Sequence, residues 1–248
     1  MTPAATGARP AGASDEQSSA ASVQQMFNNI APRYDLLNHV LSMNIDRLWW
    51  WRTARRFRHV LARADANILD ICCGTGDMTL ALLRLRPKQA RPVIAADFSH
   101  AMLARGAVKF QNQNAVAVEA DALHLPLPED SLNLITTAFG FRNLANYEAG
   151  LREFYRVLAH RGELGILDFS EPGGLLGKLY AFYFRRILPA VGARISGMGS
   201  AYAYLPASVQ RFPPPDEMLA LMRRVGFSQV SWSPYSFGIA GVYHGVKL

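Results

Sequence analysis

The chain has 248 residues and a mass of 27.4 kDa, with 50% hydrophobic and 18% charged residues. This composition excludes a wholly disordered chain and is sufficient for one α/β domain built on a single buried sheet. The formal net charge of +7 and the pI near 9.7 fit a nucleic-acid partner, an anionic membrane surface or a basic proteome, and do not decide among them.

Residues 1–20 are rich in alanine, serine and glycine and contain no apolar segment typical of a signal peptide. We expect them to be a disordered tail. The two cysteines, Cys72 and Cys73, are adjacent, so a disulfide between them is unfavourable, and they match no zinc-ligand spacing. They are predicted to be small buried side chains in the reducing cytoplasm, and no metal site is predicted.

A helical region is predicted at about residues 23–60, before strands and helices begin to alternate. Apolar residues follow helical spacing on both sides of Pro32, which indicates two helices with a break there. The region is either a cap on one sheet edge or a lid over a ligand. Tyr34, Asp35 and Asn38 are unusually polar for a packing surface, and they favour the lid.

Three consecutive tryptophans, Trp49–Trp51, precede several arginines. This combination suggests an aromatic and basic membrane-facing patch. A helix, however, points consecutive side chains in different directions, so at least one tryptophan is predicted to lie in the core. Core packing is the preferred interpretation.

The stretch Ile68–Thr79 reads as a strand, a glycine turn and a helix start. Gly74 and Gly76 allow a ligand to approach the backbone closely. A dinucleotide fingerprint would have a third glycine where this chain has Thr79, and a pyrophosphate would be repelled by Asp77. The turn therefore favours a cofactor with a cationic end, and S-adenosylmethionine is the leading candidate.

Two carboxylates follow the next two predicted strands. Asp97 lies 21 residues after Gly76, close to the spacing of roughly 20 residues expected for a ribose-binding acid. Ser99 is the predicted N-cap of the following helix. Asp121 ends the third unit at the same edge, where it is either a ligand contact or a solvated loop carboxylate.

The chain from residue 67 to residue 168 predicts five mostly parallel strands, with "FGFRN" at 139–143 on the ligand-binding edge. A helical insertion is predicted at about residues 171–215. Arginines interrupt its apolar run, so it is not predicted to span a membrane; it could enclose an apolar substrate, touch the bilayer or simply pack as a cap. A helix from Pro215 to Gly226 and two antiparallel strands close the chain.

Several stretches occur together in a recognisable order: "FNNIAPRYDLLNHVLSMNIDRLWWWR", "LDICCGTGDM", "ADFSHAML", "EADALHLPLPEDS" and "FGFRNL". From about Val23 to the C-terminus the chain resembles the quinone C-methyltransferases that act on demethylmenaquinol and on a methoxy-polyprenyl-benzoquinol precursor of ubiquinone. The resemblance implies a class I S-adenosylmethionine-dependent methyltransferase domain over residues 21–248. Its Rossmann-like sheet has seven mostly parallel strands with helices on both faces.

The resemblance also assigns site residues. It implies that the cofactor is bound by Gly74, Thr75, Gly76, Asp97, Asp121 and Ala122. Arg142 and Asn143 match the family's pair beside the reacting centre. Family members often have a serine after the fourth strand, where this chain has Ala138.

The implied reaction needs a reduced ring, because a quinone is too electron-poor to attack the methyl carbon. Arg142 is predicted to stabilise the phenolate that forms when a quinol hydroxyl loses its proton. His124 is a candidate proton acceptor, with a solvated loop side chain as the alternative. The expected partners are a polyprenyl quinol, the inner membrane surface by peripheral contact, and a second copy of the chain, but no nucleic acid.

Two other functions are compatible with these sequence features. One is methylation of RNA or a soluble metabolite, although no recognisable RNA-binding module is present. The other is a non-catalytic role in a quinone-synthesis complex.

Overall fold

The computed structural model describes residues 7–33, 44–170 and 199–248. Seven strands form one sheet in the order β3-β2-β1-β4-β5-β7-β6. The strands are β1 Ile68–Ile71, β2 Val93–Asp97, β3 Ala115–Glu119, β4 Leu132–Ala138, β5 Leu158–Phe169, β6 Ser228–Tyr235 and β7 Ala240–Val246. The first five are mutually parallel, and β7 runs antiparallel to both β5 and β6. The predicted sheet and its antiparallel closing pair are confirmed.

Eight α-helices surround the sheet in the described ranges. They are α1 Glu16–Ile30, α2 Ile45–Arg56, α3 Arg58–Leu61, α4 Asp77–Leu83, α5 His100–Phe110, α6 Tyr147–Val157, α7 Gly199–Arg211 and α8 Pro215–Val225. Helix α8 has proline at its first position and ends at Gly226, as predicted. Within the same ranges, no helix is both long and apolar enough to cross a bilayer.

The first strand is buried on both faces, which explains why three of its four residues are apolar. Leu69 and Ile71 belong to the core cluster that includes residues of α6 and α8. Ile68 belongs to a second cluster, which includes residues of α2 and α4. Because β1 lies between β2 and β4, it is the middle one of the five parallel strands, and the glycine turn that follows it lies at the middle of their carboxyl edge.

The predicted disorder of the N-terminal tail is wrong for residues 7–20. Helix α1 already begins at Glu16, where Asp15 and Ser18 form reciprocal capping hydrogen bonds. Before the helix, the Ala8 amide donates to the Leu144 carbonyl at 2.7 Å, and Ala8 is only 3% exposed. The small residues give this segment the composition of a disordered tail, but contacts with a distant loop order it.

The tryptophans separate as helical geometry requires. Trp49 and Trp50 are buried, whereas Trp51 is 46% exposed. The prediction that at least one packs in the core is confirmed. Tyr34, Asp35 and Asn38 lie outside the described residues. Of the insertion predicted at about residues 171–215, residues 171–198 also lie outside them, and helix α7 forms most of the remainder.

Candidate functional site

An open cavity lies at the carboxyl edge of the sheet. Parallel α/β sheets bind ligands at this edge. The loops after β1, β2, β3 and β4 and one side of α1 form its walls. The lining residues include Ala20, Phe27, Cys72, Gly74, Asp97, Phe98, Asp121, Ala122, Phe139, Gly140 and Asn143.

The glycine turn after β1 has the backbone that its sequence predicts. Gly74 and Gly76 have φ values of 56° and 87°, in the left-handed region. Gly74 lines the cavity, so a ligand can approach its backbone. A Cβ on Gly76 would lie 2.0 Å from Cζ of Phe110. Gly76 is thus required for the packing of α5 against the turn, and it is not a cavity-lining residue.

Asp97 ends β2 and directs its carboxylate at the glycine turn. Oδ2 accepts a hydrogen bond from the Gly74 amide at 2.7 Å, and Oδ1 accepts one from the Ser99 amide at 2.8 Å. Burial raises the pKa of this carboxyl to about 6, against the opposing effect of these hydrogen bonds. A carboxylate has about four acceptor sites, so Asp97 can still accept two hydroxyl donors.

A second buried acid, Asp70, escaped the sequence reasoning. It lies in β1 and accepts hydrogen bonds from the hydroxyls of Thr79 at 2.6 Å and Thr136 at 2.9 Å. Burial raises the pKa of Asp70 to about 7, and the nearby Asp97 adds to the rise. An acid inside an apolar strand was the available signal, because a charge there needs polar partners.

Thr75, assigned to the cofactor by resemblance, is buried and does not line the cavity. Its hydroxyl accepts a hydrogen bond from Nζ of Lys109 at 3.1 Å. The same ammonium lies 3.2 Å from Oδ1 of Asp77. Lys109, which the sequence analysis did not identify, thus connects α5 to both residues of the turn.

The loop after β3 carries three of the predicted site residues, Asp121, Ala122 and His124, and only the first two line the cavity. Asp121 and the buried Ala122 both line the cavity. Asp121 accepts from the Leu123 amide at 2.9 Å, and its other oxygen lies 3.3 Å from Nδ1 of His124. The His124 side chain is 84% exposed and is not among the cavity residues. The structure therefore brings Asp121 and Ala122 to the site and leaves His124 at its outer rim.

Arg142 and Asn143 lie in a short 3₁₀ turn after β4, and both are buried. Nη1 of Arg142 pairs with Oδ1 of the fully buried Asp168 at 2.8 Å, and the Arg142 amide donates to Oδ2 at 3.0 Å. The guanidinium also donates to the Phe139 carbonyl, and it lies 5.1 Å from the centre of the Phe169 ring. Arg142 thus anchors the loop from beneath, and it does not line the cavity.

Asn143, in contrast, does face the cavity. Its amide donates to the Phe139 carbonyl at 3.3 Å, and its carbonyl accepts from the Tyr204 hydroxyl at 3.1 Å. Tyr204 belongs to α7, and burial raises the pKa of its hydroxyl to about 12. Sequence reasoning missed Tyr204, since nothing local links residue 204 to residue 143.

Helix α1 forms a roof over one side of the cavity. Phe27 and Ala20 contribute to the lining. The Gln24 amide donates to the Phe98 carbonyl at 2.6 Å, and the Asn28 carbonyl accepts from the Ser99 hydroxyl at 2.7 Å. These bonds attach the roof to the loop that carries Asp97. The predicted lid was based on Tyr34, Asp35 and Asn38, which lie outside the described residues, so the lid stays a prediction.

Sequence comparison gives extensive matches to one family. A model of the ubiE/COQ5 methyltransferase family matches residues 14–247. Demethylmenaquinone methyltransferase of Deinococcus radiodurans is 42% identical over 236 residues, which cover 94% of this chain and 95% of the relative. The ubiquinone/menaquinone biosynthesis C-methyltransferase UbiE of Geobacter sulfurreducens is 39% identical over 230 residues, covering 91% of this chain and 88% of the relative.

Among solved structures, a SAM-dependent methyltransferase from Thermotoga maritima, described as a possible histamine N-methyltransferase, has a TM-score of 0.62. The alignment covers 91% of this chain and 100% of that chain at 17% identity. At such low identity the likeness shows the fold alone.

The packing role of Gly76 can be tested by substitution. Gly76→Ala places a methyl group against Phe110 and also strains a positive φ, so we expect it to lower the free energy of unfolding by more than about 2 kcal/mol. Gly12→Ala is the matched control, because Gly12 has the same φ of 87° but open space around its Cβ position. It should cost only about 1 kcal/mol. Equal losses in urea unfolding would contradict the packing role of Gly76.

Proposed function

Because the chain belongs to the ubiE/COQ5 methyltransferase family, we propose that it methylates a ring carbon of a polyprenyl quinol, with S-adenosylmethionine as methyl donor. Demethylmenaquinol is the preferred substrate, from the name of the Deinococcus relative. The methoxy-polyprenyl-benzoquinol precursor of ubiquinone is the second candidate, since the name of the Geobacter relative includes ubiquinone biosynthesis. The observation that carries the proposal is a buried carboxylate, Asp97, beside a glycine turn in a cavity at the carboxyl edge of the sheet.

The residues at one end of the cavity fit the proposed cofactor. Asp97 has acceptor sites left for the two ribose hydroxyls, and the cavity-lining backbone at Gly74 permits close approach of the methionine portion. Asp121 and the small Ala122 would flank the adenine. When bound, S-adenosylmethionine supplies an electrophilic methyl carbon, so no covalent enzyme intermediate is needed.

The other end of the cavity fits an aromatic ring with a polar edge. Phe27 and Phe139 supply apolar walls, while Asn143 supplies the polar group. We assign to Asn143 the hydrogen bond to a ring oxygen, and to Arg142 the support of the loop that carries it. The Arg142 guanidinium is paired with Asp168 behind that loop, and the field left by this ion pair is a second way in which Arg142 could stabilise a developing phenolate.

The proposed reaction is tested by transfer of labelled methyl from S-adenosylmethionine to a short-tailed demethylnaphthoquinol. We expect label on the ring carbon when the acceptor is kept reduced, and none with the oxidised quinone, because only the quinol ring is nucleophilic. Benzoquinol and RNA acceptors in parallel assays address the other substrates. Absence of transfer to either quinol, in protein that binds the cofactor, would refute the proposal.

Cofactor affinity should depend on pH through Asp97. Its pKa in the free protein is about 6, and only the ionised carboxylate can accept from both ribose hydroxyls. Affinity should therefore be constant above that pKa and fall by up to about tenfold per pH unit below it. Asp97→Asn should weaken binding at pH 8 by about 2 kcal/mol and flatten the pH profile, as measured by calorimetry.

Asp70→Asn is the control for this experiment, because Asp70 is a buried acid with a raised pKa that does not line the cavity. It should keep the pH profile. If the pH dependence is lost in Asp70→Asn and kept in Asp97→Asn, the titrating group is Asp70, and the prediction for Asp97 is wrong.

The two roles of Arg142 predict different outcomes. Arg142→Ala leaves Asp168 charged and fully buried, so it should lower the free energy of unfolding by roughly 3–5 kcal/mol. Arg142→Met with Asp168→Asn removes both charges and should recover most of that loss. If Arg142 stabilises the phenolate, kcat stays reduced by about 10²-fold in the double variant even though its stability is recovered. If it only supports the loop, kcat recovers together with the melting temperature.

A further inference from the structure

Helix α2 presents a stripe of large apolar side chains to solvent. Ile45, Leu48 and Trp51 are 37%, 50% and 46% exposed. Their spacing of three residues places them along one face of the helix. The opposite face carries the buried Trp49 and Trp50. The helix therefore has two apolar faces, of which only one is used by the core.

Arginines surround this stripe. Arg47, Arg55, Arg58 and Arg84 are all exposed. The Arg55 guanidinium lies 4.8 Å from the centre of the Trp51 ring, and a shallow depression is lined by Trp51, Arg55, Arg58 and Arg84. No carboxylate of a described residue forms an ion pair with any of these four arginines. The acid within α2, Asp46, is buried.

The stripe lies close to the cavity. Trp49, on the inner face of α2, packs against Phe139 with a ring distance of 5.8 Å, and Phe139 lines the cavity. Only the thickness of the helix separates the exposed stripe from the end of the cavity assigned to the quinol ring. If the stripe bound lipid, the end of the cavity that is assigned to the quinol ring would lie near the bilayer.

We propose that the exposed face of α2, consisting of Ile45, Leu48 and Trp51 with the four surrounding arginines, docks on an anionic lipid bilayer. The apolar side chains enter the boundary between headgroups and acyl chains, and the arginines remain at the level of the phosphates. The aliphatic residues Ile45 and Leu48 beside positive charge match such a surface better than a nucleic acid, which binds through phosphate contacts and base stacking on aromatic rings. The inference rests on the proposed function insofar as a polyprenyl substrate resides in the bilayer.

Binding is tested with the full chain and phosphatidylcholine vesicles that contain or lack phosphatidylglycerol. We expect flotation with the anionic vesicles at low ionic strength, and release in high salt. Tryptophan fluorescence should shift to the blue on binding, because Trp51 is exposed, whereas Trp49 and Trp50 are buried and the half-buried Trp232 lies in β6, away from this face. Trp51→Phe should float normally and lose that shift. Equal binding to the neutral vesicles, or no binding to the anionic ones, would overturn the proposal.

Substitutions on α2 test whether its exposed face is the surface that binds the vesicles. Replacing Arg55, Arg58 and Arg84 by glutamine should weaken vesicle partitioning by roughly fivefold for each arginine removed. Leu48→Ser with Trp51→Ser should weaken it by at least about tenfold. The matched control is Arg105→Gln with Val108→Ser, since both residues are exposed on α5, where Val108 is 72% exposed. A control that loses as much binding as the α2 variants would overturn the assignment to α2.

Turnover separates this inference from the proposed function. The α2 variants should methylate a short-tailed, water-soluble quinol at the wild-type rate, and a long-tailed quinol in anionic vesicles at least about tenfold more slowly. A wild-type protein that binds vesicles but methylates neither quinol would refute only the function. Unchanged turnover on the vesicle substrate in variants that no longer float would refute docking as a route to substrate.

Discussion

The carboxylate of Asp97 joins the parts of the cavity to one another. It accepts from the Gly74 amide in the turn after β1 and from the Ser99 amide at the start of α5. Ser99 in turn donates its hydroxyl to Asn28 in the roof helix. Asp97 therefore holds the glycine turn directly and holds helix α1 through Ser99. Because its pKa is raised to about 6 by burial, this arrangement is sensitive to protonation near neutral pH.

The features that local chemistry determines were predictable from sequence. A strand, two glycines and a helix start specify a tight turn, and the structure gives both Gly74 and Gly76 a positive φ. Parallel strands end at one edge, so the sequence alone places Asp97 and Asp121 together, and both line the cavity. The closing antiparallel strands followed from the short connection between them.

Contacts between residues far apart in sequence were not predictable. Lys109 reaches Asp77 across 32 positions, and no periodic pattern records such a pairing. The Arg142 guanidinium could be expected to face the substrate or to hold the loop, and only the position of Asp168 favours the second arrangement. Helix α1 was missed before residue 20 because tertiary contacts order a segment whose composition favours disorder.

The charges around the cavity account for the class of cofactor that this glycine turn can accept. Asp97 and Asp121 line the cavity and Asp70 lies close to Asp97, whereas Lys109 is engaged by Asp77 outside the cavity lining. A pyrophosphate at this turn would meet carboxylates of like charge. A sulfonium group would instead favour the ionised form of Asp97, the buried acid that lines the cavity. The backbone of the turn is shared with dinucleotide-binding folds, and the surrounding side chains decide between a phosphate and a cation.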